Sequence, residues 1–98
     1  MKKIKILDTA LDDLEAGKEF YNLQSPGIGE YFLDTLISEI DSLTLYAGIH
    51  PIKHNFYQML SKRFPYAIYY DFIDDKVFVF RVLDCRENPR KRDKKLLG

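Results

Sequence analysis

Two histidines four residues apart, in the stretch HPIKH, are the first residues here whose types and spacing suggest chemistry. On one turn of helix, His50 and His54 would face the same way and could share a metal ion. Pro51 between them argues against a helix, and neither a cysteine nor a third clear ligand lies nearby, so no metal site is expected. Paired acids occur at Asp12 and Asp13 and at Asp74 and Asp75, but side chains adjacent in sequence point in different directions. They read as helix surface and turn, not as an acid–base pair. Cys85 is the only cysteine, so no internal disulfide can form and a reducing cytoplasm is the natural compartment. It reads as a small, partly buried filler at a strand end rather than a reactive thiol. There is no G-x-S-x-G elbow and no glycine loop to cradle a phosphate: SPGIG has two glycines and follows a helical pattern rather than a strand. No cofactor is implied.

What remains is basic and aromatic: Lys53, His54, Tyr57, Lys62, Arg63, Arg81, Arg86 and Arg90, all in the second half of the chain. The formal net charge of zero hides a division. Residues 1–50 carry four lysines against nine acids, a net −5, and residues 51–98 carry eleven basic groups against six acids, a net +5. Such a dipole suits a basic end facing something anionic, or simply two amphipathic helices with acidic solvent faces. The last stretch, 86–98, holds Arg86, Arg90, Lys91, Arg92, Lys94 and Lys95 against Glu87 and Asp93. It is expected on the surface as a basic C-terminal tail, either facing a partner or solvated as a frayed terminus.

These residues need elements to position them. At 98 residues and 46% hydrophobic, the chain fits one domain, 1–98, large enough to bury a core. Lys2 to Leu7 alternate polar and apolar, the period of a half-buried strand, and Asp8 ends the apolar run too early for an export signal. No run of about 18 apolar residues could span a membrane. Asp8 or Thr9 can cap a helix carrying Ala10, Leu11, Leu14, Gly17, Lys18 and Tyr21 at helical spacing. SPGIG should stop it, and a second helix follows with Phe32, Leu33, Leu36, Ile37, Ile40 and Leu43 on one face. His54 to Leu60, Arg63 to Ile73 and Lys76 to Asp84 read as strands, with Asp74 and Asp75 at the tightest turn. The order β-α-α-β-β-β gives an α+β domain: an N-terminal strand, an antiparallel two-helix hairpin and a three-stranded antiparallel meander. Leu11, Leu14, Phe32, Leu36, Ile40, Ile68, Tyr70 and Val79 should share its core. Strict alternation along the last strand puts Val77, Val79, Arg81 and Leu83 on one face and Phe78, Phe80 and Val82 on the other. Arg81 then interrupts an apolar face, and it should snorkel to an edge, pair with an acid such as Asp71 or Asp84, or face a binding surface.

The arrangement FYNLQSPGIGEYFLDTL, followed by KRFPYAIYYDFIDDKVFVFRVLDCRENP, resembles the RelE/ParE superfamily of bacterial toxins over nearly the whole chain. The RFPY-x-IYY strand with its hairpin and N-P exit carries most of the likeness. The resemblance implies a type II toxin–antitoxin (plasmid stabilisation) pair, a cognate antitoxin as partner, and growth inhibition when the antitoxin is lost. RelE-like members cut messenger RNA on the ribosome, whereas ParE-like members poison DNA gyrase. RelE-like cleavage resembles acid–base work by sheet lysines and arginines, helped by a C-terminal tyrosine. Carried onto this sequence, the two lysines fall at Gln58 and Leu60 and the sheet arginine at Ala67. The later arginine falls at Arg86 or Glu87, and the tyrosine near Asp93.

The resemblance therefore implies a ParE-like, gyrase-inhibiting toxin rather than an enzyme, with Arg63 and Arg86 as the substitutes a nuclease would have to use. An inert toxin-fold module that only binds a partner is the third reading. Target binding is expected at Arg81, Arg86, Arg90, Lys91 and Arg92, and antitoxin binding at Leu11, Tyr21, Phe32 and Tyr57. The expected partners are proteins, with ribosome and message as the alternative to gyrase; no membrane, metal, cofactor or small-molecule substrate enters.

Overall fold

The alternating KIKI of Lys3–Ile6 forms strand β1, and the chain then winds through α1 (Asp8–Gln24) and α2 (Ile28–Asp41). This computed structural model describes residues 2–97. A short helix α3 (Leu43–Tyr46) leads to β2 (Ile52–Lys53), β3 (Phe56–Leu60), β4 (Tyr66–Ile73) and β5 (Lys76–Asp84), and α4 (Pro89–Leu97) closes the chain. The five strands make one sheet in the order β1-β5-β4-β3-β2. β1 lies parallel to β5 and the other pairs are antiparallel. The α+β architecture of strand, helical hairpin and antiparallel strands is as expected from sequence; α3, β2 and α4 are additions to it.

SPGIG makes a tight link because Asn22 and two glycines cooperate. The Asn22 Oδ1 accepts the N–H groups of Gly27 (3.2 Å) and Gly29 (2.8 Å), leaving few orphan donors at the start of α2. Gly27 sits at φ 94, and a Cβ on Gly29 would stand 2.3 Å from the Lys18 carbonyl oxygen. The two helices can therefore approach backbone to side chain only because glycine is there.

Of α1, Ala10, Leu14 and Gly17 are buried, and Leu11, one position round the helix, is 47% exposed. Leu11 thus leaves the expected core, while Leu14, Phe32, Leu36, Ile40, Ile68, Tyr70 and Val79 all fall within it. α2 contributes Phe32, Leu36 and Ile40 at steps of four, and the sheet answers with Tyr66, Ile68, Tyr70, Val77, Val79 and Val82.

The alternation on β5 fails at one residue. Tyr69 pairs with Arg81 but Tyr70 pairs with Val79, so Phe80 is an extra residue in a β-bulge. Beyond the bulge every side chain changes face. Val82 joins Val77 and Val79 beneath the helices, and Leu83 joins Phe80 on the opposite side. The expected grouping of Arg81 and Leu83 with Val77 is therefore overturned.

The opposite side is not solvent. Ala67, Tyr69, Leu83 and Leu96 form a second buried cluster, packed by Phe56, Phe80 and Cys85. The basic tail is consequently a docked helix and not a frayed terminus. Asn88 Oδ1 accepts the Arg90 N–H (2.9 Å), and Pro89 occupies the first turn, where its missing N–H costs nothing.

The expected strand His54–Leu60 is shorter and part of a hairpin: His54 (φ 53) and Asn55 (φ 68) make a two-residue turn between β2 and β3. Asp74 (φ 49) and Asp75 (φ 62) make the corresponding turn between β4 and β5, at the expected place. Among the described residues no helix is long and apolar enough to cross a membrane.

Candidate functional site

The cationic side chains sort into those held by the fold and those left free. Arg81 is held. Its Nε and Nη2 donate to the two carboxylate oxygens of Asp13, each at 2.7 Å, and Asp13 Oδ2 also accepts the Val82 N–H at 2.9 Å. The guanidinium and carboxylate side chains are only 17% and 12% exposed. Asp13 is thus neither a surface residue nor idle, and Arg81 chooses it over Asp71 and Asp84. The reason is sheet geometry: β1 pairs with β5 only from Lys76 to Val79, so the rest of β5 would be an open edge. α1 closes it, with Thr9 Oγ1 donating to the Phe80 carbonyl (2.6 Å) and Asp13 taking the Val82 N–H. The hydrogen bonds of Asp13 hold the Arg81 proton more tightly than in water.

Arg86 is exposed but engaged. It donates to both oxygens of Asp84 (3.0 and 2.9 Å), reaches Tyr21 Oη at 3.4 Å and lies over the Phe20 ring. Burial alone would raise the Asp84 carboxyl, but these bonds outweigh it and hold Asp84 below its usual range. Arg63 Nη1 donates to Tyr31 Oη at 2.9 Å. Tyr21 and Tyr31 both pack on Phe64, which touches Phe32, so the two arginines flank one aromatic cluster. Both ends of that cluster are anchored in side-chain hydrogen bonds.

That sheet face carries no cation where a cleaving member would need one. Gln58 donates to Tyr69 Oη at 3.0 Å, Leu60 pairs with Ala67 across β3 and β4, and Ala67 is fully buried. Leu96 of α4 lies in the same cluster as Ala67 and Tyr69. A row of free cations stands instead on α4, where Arg90, Lys91 and Lys94 are exposed; Lys3, Lys5, Lys53, Lys62 and Lys76 are exposed singly elsewhere. Arg92 is half-buried, and its Nε finds no acceptor. Asp93 pairs with His54 of the β2–β3 turn at 3.0 Å, and Lys95 with Glu87 at 2.7 Å.

Among solved structures, a chain of the chromosomal ParDE TA system from P. aeruginosa matches with a TM-score of 0.75. The match covers 84% of this chain and 94% of that one at 16% identity. The fold is ParE-like. No protein-family model and no curated protein matches the sequence.

Within this ParE-like fold the expected partner-binding residues scatter. Phe32 is fully buried and can meet no partner without opening the core, whereas Tyr21 and Tyr57 are half-buried, Tyr57 stacked on Tyr70. Leu11 is the one of the four that is substantially exposed. The two histidines, four apart in sequence, go to separate partners: His54 to Asp93, and His50 to Tyr70. Gly48 N–H donates to Tyr70 Oη (2.9 Å), which leaves the Tyr70 O–H to donate a hydrogen bond to His50 Nδ1. Burial lowers the His50 pKa, consistent with a neutral ring accepting there.

Sequence reasoning missed two features. The Asp13–Arg81 link spans 68 residues, and nothing local announces it. A groove of about 560 Å³ opens between α2 and the outer edge of β3, lined by Glu39, Tyr46, Ile49, His50, Met59 and Leu60 among others. The exposed Leu45, Tyr46, Ile49, Ile52 and Leu60 could have flagged it, since all five are large and apolar and cluster between positions 45 and 60.

Proposed function

We infer that the chain is the toxin of a type II toxin–antitoxin pair, neutralised by a cognate antitoxin and acting in the ParE manner, by inhibiting DNA gyrase. The observation that carries the subclass is the sheet face itself. Gln58, Leu60 and Ala67 offer no cation to a pentacovalent phosphate, and Leu96 packs where a message would have to lie. The likeness to the ParDE chain supports the toxin reading through the fold. Arg63 and Arg86, the substitutes a nuclease would need, are committed to Tyr31 and to Asp84. The exposed row Arg90, Lys91 and Lys94 is suited to an acidic protein patch or to DNA phosphates.

The test is induction of the chain alone in a bacterial host, followed by a supercoiling assay of purified gyrase with the purified protein. The expected result is a DNA damage response and lost supercoiling, both weakened by a triple Arg90→Ala, Lys91→Ala, Lys94→Ala variant that keeps the native circular dichroism spectrum. Discrete cuts in translated messages with gyrase fully active would overturn the subclass. Growth arrest should disappear on co-expression of the neighbouring reading frame's product, which should co-purify with the chain.

A further inference from the structure

We propose that residues 47–51, between α3 and β2, form an acid-released latch: protonation of His50 frees them from the sheet and opens one wall of the groove beside β3. The inference is independent of whether the chain is a toxin.

A count of donors and acceptors carries the argument. Tyr70 is fully buried on β4 with its ring stacked on Tyr57, and its hydroxyl has two hydrogen-bond partners, both on this segment. The Gly48 N–H donates to it at 2.9 Å, and the other partner is His50 Nδ1. If Nδ1 carried a hydrogen, the buried Tyr70 proton would be left with no acceptor. Nδ1 is therefore the bare nitrogen of the neutral ring, and Nε2 carries the hydrogen. Charging the ring places the second hydrogen on Nδ1, the atom that must stay bare for the link to exist. The link and the imidazolium exclude each other.

The elements packed around His50 supply no counter-charge to rescue the charged form. α2 brings Glu39, but its Oε2 already accepts the Lys62 N–H and its Oε1 is enclosed. The loop after β3 brings Lys62, of the same sign as an imidazolium, and α3 and β3 bring the phenols Tyr46 and Tyr57. From the N-terminal side Lys2 lies over Phe72, the ring that adjoins Gly48. Among the described residues His50 belongs to no ion pair. Burial accordingly lowers the His50 pKa, and burial likewise raises that of Tyr70, which stays a donor.

Little else holds the segment. Gly48, Ile49 and Pro51 are exposed and His50 is half-buried, so few apolar contacts oppose its release. Its hydrogen bonds to the sheet are the two at Tyr70 and one from Gln58, whose N–H donates to the Pro51 carbonyl at 2.8 Å. Losing the Tyr70 pair leaves the last alone. Ile49 and His50, which line the groove, then move with the freed chain.

The experiment follows the full chain by NMR from about pH 8 to about pH 5, reading the imidazole nitrogens by long-range proton–nitrogen correlation, with His50→Gln to assign them. At the upper limit Nδ1 should be bare and Nε2 protonated. His50 should titrate below its ordinary 6.5, and the Gly48 and Ile49 amides should shift with the same midpoint. Across that midpoint the Gly48 protection factor against hydrogen exchange should fall about tenfold. His50→Gln, whose side-chain oxygen accepts from Tyr70 at every pH, should keep Gly48 protected throughout. Tyr70→Phe keeps the ring and removes the donor, so it should raise the His50 pKa by about one pH unit, the worth of one hydrogen bond. A hydrogen on Nδ1 at the upper limit, titration at or above 6.5, or an unchanged His50 pKa in Tyr70→Phe would each overturn the proposal. So would Gly48 protection that persists through the midpoint or falls equally in His50→Gln.

Discussion

Replacing Asp13 with Ala should destabilise the domain strongly, although the residue lies outside the apolar core. The carboxylate accepts three hydrogen bonds at 2.7, 2.7 and 2.9 Å, from Nε and Nη2 along one edge of Arg81 and from the Val82 backbone. Its removal leaves a guanidinium side chain only 17% exposed without a counter-charge, and an edge N–H without an acceptor. Breaking a buried pair from one side costs about 3–5 kcal/mol. The residual exposure lets water reach part of Arg81, which places the expected cost near the lower figure, about 3 kcal/mol. At about 4–8 °C per kcal/mol for a domain of this size, the midpoint should fall by about 12–24 °C. Thermal unfolding followed by circular dichroism measures it, and a double-mutant cycle with Arg81→Met apportions it. In the Arg81→Met background Asp13→Ala should cost only about 1 kcal/mol, the Val82 N–H alone. If the single variant loses less than about 1 kcal/mol, the edge of β5 is not closed by Asp13 and the account of α1 as a substitute edge strand is wrong.

Gly17→Ala would normally gain up to about 1 kcal/mol of helix propensity, but its Cβ would stand 2.5 Å from Phe32 Cε2, so a net loss of about 1–2 kcal/mol is expected by urea unfolding. Burial holds the His50 pKa below its ordinary 6.5, so the folded state binds fewer protons than the unfolded one. Its contribution is therefore complete above pH 6.5 and is lost as pH falls below it; urea midpoints at pH 7.5 and 5 should differ less in His50→Gln than in the wild type. Leu96→Ala should cost about 2 kcal/mol and reduce the helical signal, because α4 places only that side chain in the buried cluster.

Much of the fold follows from local pattern, and the failures have physical causes. Lys3–Ile6 alternates, α2 repeats its apolar residues at steps of four, and Asp74 with Asp75 tolerates positive φ, so each element announces itself within a few residues. The bulge at Phe80 does not, because one extra residue in a strand leaves composition unchanged while reversing every later side chain. That reversal moved Leu83 to the far face and took Arg81 out of the apolar one. The tail was harder still. Asn88 and Pro89 open a helix, but six basic residues between 86 and 98 suggest a solvated tail, and only Leu96 betrays a buried side. Candidate site residues fared according to the same distinction. Arg90 and Lys91 are exposed as expected, while Phe32 and Arg81 were drawn into core and ion pair by neighbours far away in sequence.

The charge division between the halves survives folding, and this bears on function. Among the described residues, only Asp13–Arg81 joins the acidic half to the basic one; the Arg86–Asp84 and Lys95–Glu87 pairs and the His54–Asp93 contact all lie within the second half. Internal pairing therefore cancels almost none of the −5 and +5. Asp12, Glu15, Glu19, Glu30 and Asp34 stay exposed on the helical hairpin, and Arg90, Lys91 and Lys94 stay exposed on α4. With one sheet face filled by the hairpin and the other covered in part by Leu96, a partner has three kinds of surface to meet: an acidic pair of helices, a basic helix, and the edge of β3. A target steered by α4 must then present negative charge, and its association rate should fall as salt is raised.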